Sequence, residues 1–215
     1  MFNKVSGFLH KKIREITDPE IRELSGTRAA ILAAEGFEES ELFEPKAALE
    51  NVGVEVSIVS IHKGKIRGWS GTNWGKSIAV DMTASDAFSV DFDYLVLPGG
   101  VINPDKLRND PDCVAFVEAF VNKKRPIAAI CHGVQTLIET GMVKGKTLTS
   151  WPSLRTDLIN AGANWVDEEV IVDHRLITSR KPADLPSFNH VMVKEFIDFY
   201  VTHNLPNTES YVVTL

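Results

Sequence analysis

A cysteine, a histidine and a glycine stand side by side at Cys131-His132-Gly133, between two stretches of very different pattern. Before them Pro126 opens a short apolar run, Ile127 to Ile130, with no polar alternation. Such a run suits a strand buried on both faces of a parallel sheet. After them Val134, Leu137 and Ile138 share one helical face, and Gly141 supplies a C-terminal stop. A strand that enters a helix through a tight turn lifts the turn residue above the sheet edge, as in the nucleophile elbow of serine hydrolases. Here the lifted side chain is a thiol. The positive end of the helix dipole predicts a thiolate, with its pKa below the value of about 8.5 of free cysteine. The competing reading is an inert packed cysteine with a capping histidine. The position at a strand-to-helix turn and the glycine two residues on favour the nucleophile. Cys113, inside the amphipathic pattern Pro111-Asp-Cys-Val-Ala-Phe-Val, is read as packing.

The elements that must position such a thiol alternate along the chain. Residues 1–26 read as an N-terminal helical arm, with Val5, Phe8, Leu9, Ile13 and Ile16 at helical spacing and basic residues on the other face. Residues 27–205 read as one α/β domain, and 206–215 as a tail. Ala29 to Ala34 predict a buried strand, followed by an acidic turn, Glu35 to Glu41, and a helix from Leu42 to Val52 broken near Pro45. Val54 to Ile61 predict the second strand, and residues 62–77, rich in Gly, Lys and Trp, a hairpin or excursion. Tyr94 to Leu97 is a further buried strand closed by Pro98-Gly-Gly100. A helix through Val114, Val117, Phe120 and Val121 leads into the central strand. Thr147 to Thr149, a helix from Pro152 to Asn160, a strand pair around His174-Arg175 and a helix from Pro186 to His203 complete the domain. Alternating strands and helices predict an α/β fold with a mainly parallel sheet. Sites in such sheets lie outside the carboxyl ends of the strands. Three strand ends carry unusual residues: Glu35–Glu41, Pro98–Gly100 and Cys131–Gly133.

Composition narrows the function. The 215 residues fit one domain. A net charge of −6, spread along the chain, argues against nucleic acid as the main partner. Two cysteines make no disulfide framework, and a reducing cytoplasm is expected. No run is apolar and long enough to span a bilayer, and the first twelve residues lack the apolar centre of a signal peptide. No cluster has structural-zinc spacing, and the Pro98-Gly-Gly turn lacks the pattern that cradles phosphates, so no metal and no cofactor are expected.

Four stretches, Ala-Ala-Glu-Gly-Phe-Glu-Glu-Ser-Glu-Leu (33–42), Tyr-Leu-Val-Leu-Pro-Gly-Gly (94–100), Ala-Ile-Cys-His-Gly-Val-Gln (129–135) and Val-Asp-His-Arg-Leu-Ile-Thr-Ser-Arg-Lys-Pro-Ala-Asp-Leu-Pro (172–186), together carry a likeness. The chain resembles the PfpI-type intracellular proteases of the ThiJ/PfpI group, within the class I glutamine amidotransferase-like superfamily. The resemblance implies a flavodoxin-like three-layer sandwich, a nucleophilic cysteine in the elbow, and a homodimer or higher homo-oligomer. It matches Cys131 to the nucleophile, His132 to the histidine beside it, and Glu41 to the glutamate that hydrogen-bonds the sulfur. The backbone N–H groups of Gly100 and His132 match the oxyanion donors. PfpI-like members also place an acidic residue after Gly-Gly that reaches the histidine from an adjacent subunit. The loop here, Gly-Gly-Val-Ile-Asn-Pro-Asp-Lys-Leu-Arg, is one residue longer; Asp105 is the match, and a plain helix-start role for it stands beside that reading. Val101 replaces a histidine or arginine found in other members. Glu38 and Glu39 read as solvated or helix-start charges, His174 as a turn residue, and Trp69, Trp74 and Trp151 as packing or the rim of a pocket.

The resemblance implies cysteine-nucleophile chemistry on one of two substrates. One is a peptide or amide bond. The other is a reactive aldehyde such as methylglyoxal, giving glyoxalase or deglycase activity. Neighbours leaving a turn need not face each other, so an adjacent Cys-His pair is expected to be a poor copy of a protease pair. A non-enzymatic role as a redox sensor or stress chaperone is the alternative from a different class.

Overall fold

The structure, a computed structural model, describes residues 24–204. The arm and the tail expected at 1–26 and 206–215 lie outside the described residues, save for the turn at 24–26. Leu24 is already buried there, and its N–H donates to the Val52 carbonyl.

Eleven strands occur among the described residues: β1 (Arg28–Leu32), β2 (Glu55–Ser60), β3 (Gly64–Ser70), β4 (Asn73–Val80), β5 (Met82–Thr83), β6 (Tyr94–Leu97), β7 (Ile127–Ile130), β8 (Thr147–Leu148), β9 (Asn164–Trp165), β10 (Val170–Asp173) and β11 (Leu176–Ser179). The helices are α1 (Glu39–Asn51), α2 (Ile102–Arg108), α3 (Pro111–Asn122), α4 (Thr136–Glu139), α5 (Arg155–Asn160) and α6 (Leu185–Asn204). Seven strands form the central sheet in the order β10-β11-β7-β6-β1-β2-β5. All its pairings are parallel except the β10–β11 edge hairpin, whose turn is made by His174 at φ 60° and Arg175.

The central strands are apolar on both faces because helices cover both. Ala30, Leu32, Leu95, Leu97, Ile127 and Ala129 face one core, filled by Cys113, Phe116, Val117 and Phe120 of α3. Ala29, Ile31, Tyr94, Val96, Ala128 and Ile130 face the other, filled by Leu42 and Leu49 of α1 and by Phe188, Met192 and Phe196 of α6. This period-two division within unbroken apolar runs is the signature of a buried parallel strand. The result is a flavodoxin-like three-layer sandwich.

Some local readings hold in the structure and others are corrected. The first helix begins at Glu39 and runs unbroken through Pro45. Proline forgoes one hydrogen bond, to the Glu41 carbonyl four residues back, and its buried ring packs in the core. Glu38 caps this helix, its carboxylate accepting from the Glu41 N–H at 3.0 Å, which makes it a helix-start charge. Residues 62–77 hold an antiparallel hairpin, β3–β4, that extends to Val80. The loop after Gly100 is itself helical, α2, and the elbow enters a 3-10 segment, Cys131–Gln135, before the short α4.

Candidate active site

The order β7-β6-β1 lays three neighbouring strand ends side by side, and these are the three that carry unusual residues. Cys131 leaves β7 with φ 60°, a left-handed conformation that non-glycine residues rarely hold. The reversal there makes the two neighbours face each other: Cys131 Sγ lies 3.3 Å from His132 Nδ1. This corrects the expectation of a poorly aligned pair. Gly133 follows under a hard steric limit, since a Cβ there would lie 2.2 Å from the Leu97 carbonyl oxygen. The elbow therefore sits directly on the end of β6.

The β6 end supplies Gly99 and Gly100. Gly100 adopts φ 87°, and a Cβ on it would stand 2.5 Å from the Gly36 oxygen. A Cβ on Gly99 would meet Glu41 Oε2 at 2.5 Å and Cys131 Cβ at 2.7 Å. Both glycines are thus required by close approach. The Gly99 N–H donates to Glu41 Oε2 at 2.8 Å. Glu41 rises from the first turn of α1 and is fully buried, and its Oε1 makes no well-formed hydrogen bond. Burial, reinforced by the charge of Glu38, raises the Glu41 carboxyl to about 8, against the pull of Gly99 N–H and Cys131. At neutral pH it carries its proton and can donate.

Cys131 is 6% exposed. Burial raises its thiol above the usual range and a charged Glu41 would raise it further, while the backbone N–H groups of His132 and Gly100 pull it down. Burial also lowers His132, leaving a neutral imidazole. The resting thiolate expected from a helix dipole is thereby corrected. The segment after Cys131 is a 3-10 turn and a one-turn helix, too short to develop the full dipole. The resting site instead holds a neutral thiol, a neutral imidazole that can accept its proton, and a neutral carboxyl. Cys113 offers the contrast: it is wholly buried in the aromatic core on the far side of the sheet, raised by burial first and then by Asp110.

His132 is covered by a segment of its own chain. Trp151 lies nearly parallel to the imidazole at 6.0 Å between centroids and is itself 38% exposed. Ser153 Oγ stands 3.5 Å from Nε2, at the limit of a hydrogen bond. The Trp151 N–H donates to the Cys131 carbonyl, tying this cover to the elbow. Trp151 therefore belongs to the site's rim, whereas Trp69 and Trp74 pack edge to face on one another in the hairpin.

Of the expected site residues, Cys131, His132, Glu41 and Gly100 converge. Asp105 does not: it lies exposed on α2, and its side chain makes no hydrogen bond or ion pair among the described residues. Ser153 and the buried Asn103 were not singled out by sequence, and Gly99 was named only as part of the Pro98-Gly-Gly turn. Among the described residues no group of three or more acidic, histidine or cysteine side chains could hold a metal, and no helix is long and apolar enough to cross a membrane. Both cysteines are free.

Comparison with known proteins places this arrangement in a class. The sequence profile of the DJ-1/PfpI family matches residues 27–195, and the chain belongs to that family. YraA of Bacillus subtilis, named as a candidate cysteine protease, is 44% identical over 163 residues, which cover 75% of this chain and 94% of that protein. "Deglycase PH1704" of Pyrococcus horikoshii is 40% identical over 167 residues, covering 78% and 98%. Among solved structures, a two-domain protein of Anabaena variabilis with DJ-1/ThiJ/PfpI-like and ferritin-like domains superposes with a TM-score of 0.75 at 34% identity, covering 84% of this chain and 50% of that one.

Proposed function

We propose that this chain is a cysteine-dependent enzyme acting on small reactive carbonyls, with conversion of methylglyoxal to lactate as its type reaction. The observation that carries the reading is the convergence of a nearly enclosed thiol, an imidazole at 3.3 Å and a protonated carboxyl on two backbone amides. A three-carbon aldehyde needs little room beneath His132 and Trp151, whereas a peptide strand needs an open groove over the sulfur.

The steps balance without an outside oxidant. Sγ bonds to the aldehyde carbon as the thiol proton passes to His132 Nδ1, and the carbonyl oxygen gains charge facing the N–H groups of Gly100 and His132. Each such donor contributes roughly 3 kcal/mol to a developing oxyanion. Protonation of that oxygen gives a hemithioacetal. The aldehyde C–H proton then moves to the neighbouring carbon through an enediol; Glu41 donates its proton to the ketone oxygen, which keeps it, and regains one from the hydroxyl on the first carbon, which becomes the thioester carbonyl. The first carbon is oxidised, the second reduced, and a thioester on Cys131 remains. Water cleaves it, releasing lactate and the thiol. The name of the Pyrococcus relative, a deglycase, supports a substrate of this class.

Asp105 is proposed as the partner of His132 Nε2 from a second copy of the chain, displacing the long contact to Ser153. The purified protein should form lactate from methylglyoxal, and Cys131→Ser should abolish it. Cleavage of a fluorogenic peptide without lactate formation would instead favour the reaction suggested by the name of YraA. A second reading rests on the same donors: two amides and a carboxyl O–H around the sulfur would equally hold a sulfinate, so a peroxide-sensing role is supported if Cys131 gains two oxygens and no turnover is found.

A further inference from the structure

Asn103 lies on α2, outside the group of residues that meet at the sulfur, and it is wholly buried. Its amide is fully used. Oδ1 accepts from the Ala34 N–H at 2.6 Å, at the end of β1. Nδ2 donates to the Pro98 carbonyl at 2.8 Å and to the Gly99 carbonyl at 3.1 Å, at the end of β6. One acceptor faces a backbone donor and two donors face two backbone carbonyls, so the orientation of the amide is fixed by its partners. An aspartate of the same shape would set a carboxylate oxygen against two carbonyls.

The consequence follows from the planarity of the peptide bond. The Pro98 carbonyl and the Gly99 N–H belong to one rigid trans unit, and the Gly99 carbonyl and the Gly100 N–H to the next. In a trans unit the oxygen and the hydrogen point in opposite directions. The two oxygens are held at the back by Asn103, with the Glu38 N–H adding a second bond to the Gly99 oxygen at 3.1 Å. At the front the Gly99 N–H reaches Glu41, and the Gly100 N–H reaches Cys131. A glycine pair has few steric barriers of its own to keep those planes in place.

We propose that Asn103 is a positioning residue for the active site, holding the Pro98-Gly99-Gly100 peptide planes so that the Gly100 N–H is aimed at the oxyanion position and the Gly99 N–H at Glu41. The role rests on the oxyanion reading of Gly100 given above. Asn103 itself touches neither the sulfur nor the carboxyl.

The test is Asn103→Ala in the full chain, with three readouts: thermal melting, kcat and KM for methylglyoxal, and the pH profile of Cys131 alkylation by iodoacetamide. The expected result is a folded protein whose kcat falls about 10- to 100-fold with KM within about threefold, since a misaimed donor is lost in the transition state. The alkylation profile should move to higher pH by roughly half a unit or more, because a backbone donor that favours the thiolate is withdrawn. Alkylation needs no substrate, so a shifted profile in a protein that never turns over methylglyoxal sustains the positioning role and discards the substrate. A folded Asn103→Ala with wild-type kcat and an unmoved profile overturns the proposal. If alanine leaves too large a void, Asn103→Ser carries the same readouts. Failure of both to fold also overturns it, making Asn103 a requirement of the fold rather than of the amide's direction.

Discussion

Replacing Glu41 by glutamine should remove the share of the protein's sensitivity to alkali that this buried carboxyl contributes. The group is buried, and its carboxyl is raised from 4.5 to about 8, first by burial and then by Glu38. A carboxyl raised in the folded state stabilises the fold fully below the unfolded pKa, and that contribution is lost as pH rises through the folded value. Between pH 4.5 and 8 the native chain keeps a proton that the unfolded chain has released, so stability falls by up to about 1.4 kcal/mol per pH unit, near 5 kcal/mol in total. Glutamine keeps an oxygen for the Gly99 N–H and never ionises. The difference in unfolding free energy between Glu41→Gln and wild type, taken from urea curves at pH 5, 7 and 9, cancels the other titrating groups. It should shift in favour of the mutant by several kcal/mol across that range. The same protonation predicts that wild-type kcat declines above pH about 8 as the acid is lost, and that kcat/KM falls only below the free-imidazole value of 6.5, because burial keeps His132 neutral. A stability difference flat to within about 1 kcal/mol from pH 5 to 9 would refute the assignment of a protonated Glu41.

Other perturbations probe separate parts of the site. Gly99→Ala puts a methyl 2.5 Å from Glu41 Oε2 and 2.7 Å from Cys131 Cβ; it should cost about 1–3 kcal/mol in a melt and at least about 10²-fold in turnover, the loss of one well-aimed donor. Trp151→Ala removes a half-exposed cover over His132, and should leave stability within about 1 kcal/mol while raising KM severalfold in steady-state assays. Asp105→Asn should lower kcat about tenfold with the melt unchanged, provided a second copy supplies the carboxylate; wild-type specific activity should then fall on dilution in step with dissociation seen by sedimentation.

The legible part of this protein was whatever depended on near neighbours in sequence. Ile127–Ile130 declared a strand buried on both faces because helices would have to cover both, and α3 and α6 do. Cys131, Glu41 and Gly100 could be placed on one edge because the strands that carry them end in unusual residues. What eluded the sequence was set by distance or by exact backbone torsion. Pro45 looked like a helix break because its local cost is visible and its buried packing is not. The facing of Cys131 and His132 follows from one positive φ, which no residue type announces. The thiol's state depends on burial by residues far along the chain, so a local dipole argument chose the wrong sign. Asn103 lies in a stretch that reads as a loop, and its bond to Ala34, 69 residues away, is invisible until β1 and β6 are laid side by side.

The central claim is that Cys131 is the nucleophile, and titrating turnover against its modification tests that most directly. Protein is alkylated to successive extents with iodoacetamide at neutral pH, each sample is mapped by mass spectrometry, and lactate formation from methylglyoxal is measured. Cys113, sealed in the far core, should remain unmodified while activity falls linearly to zero with the fraction of Cys131 alkylated. Full turnover from protein whose Cys131 is completely blocked would contradict the account.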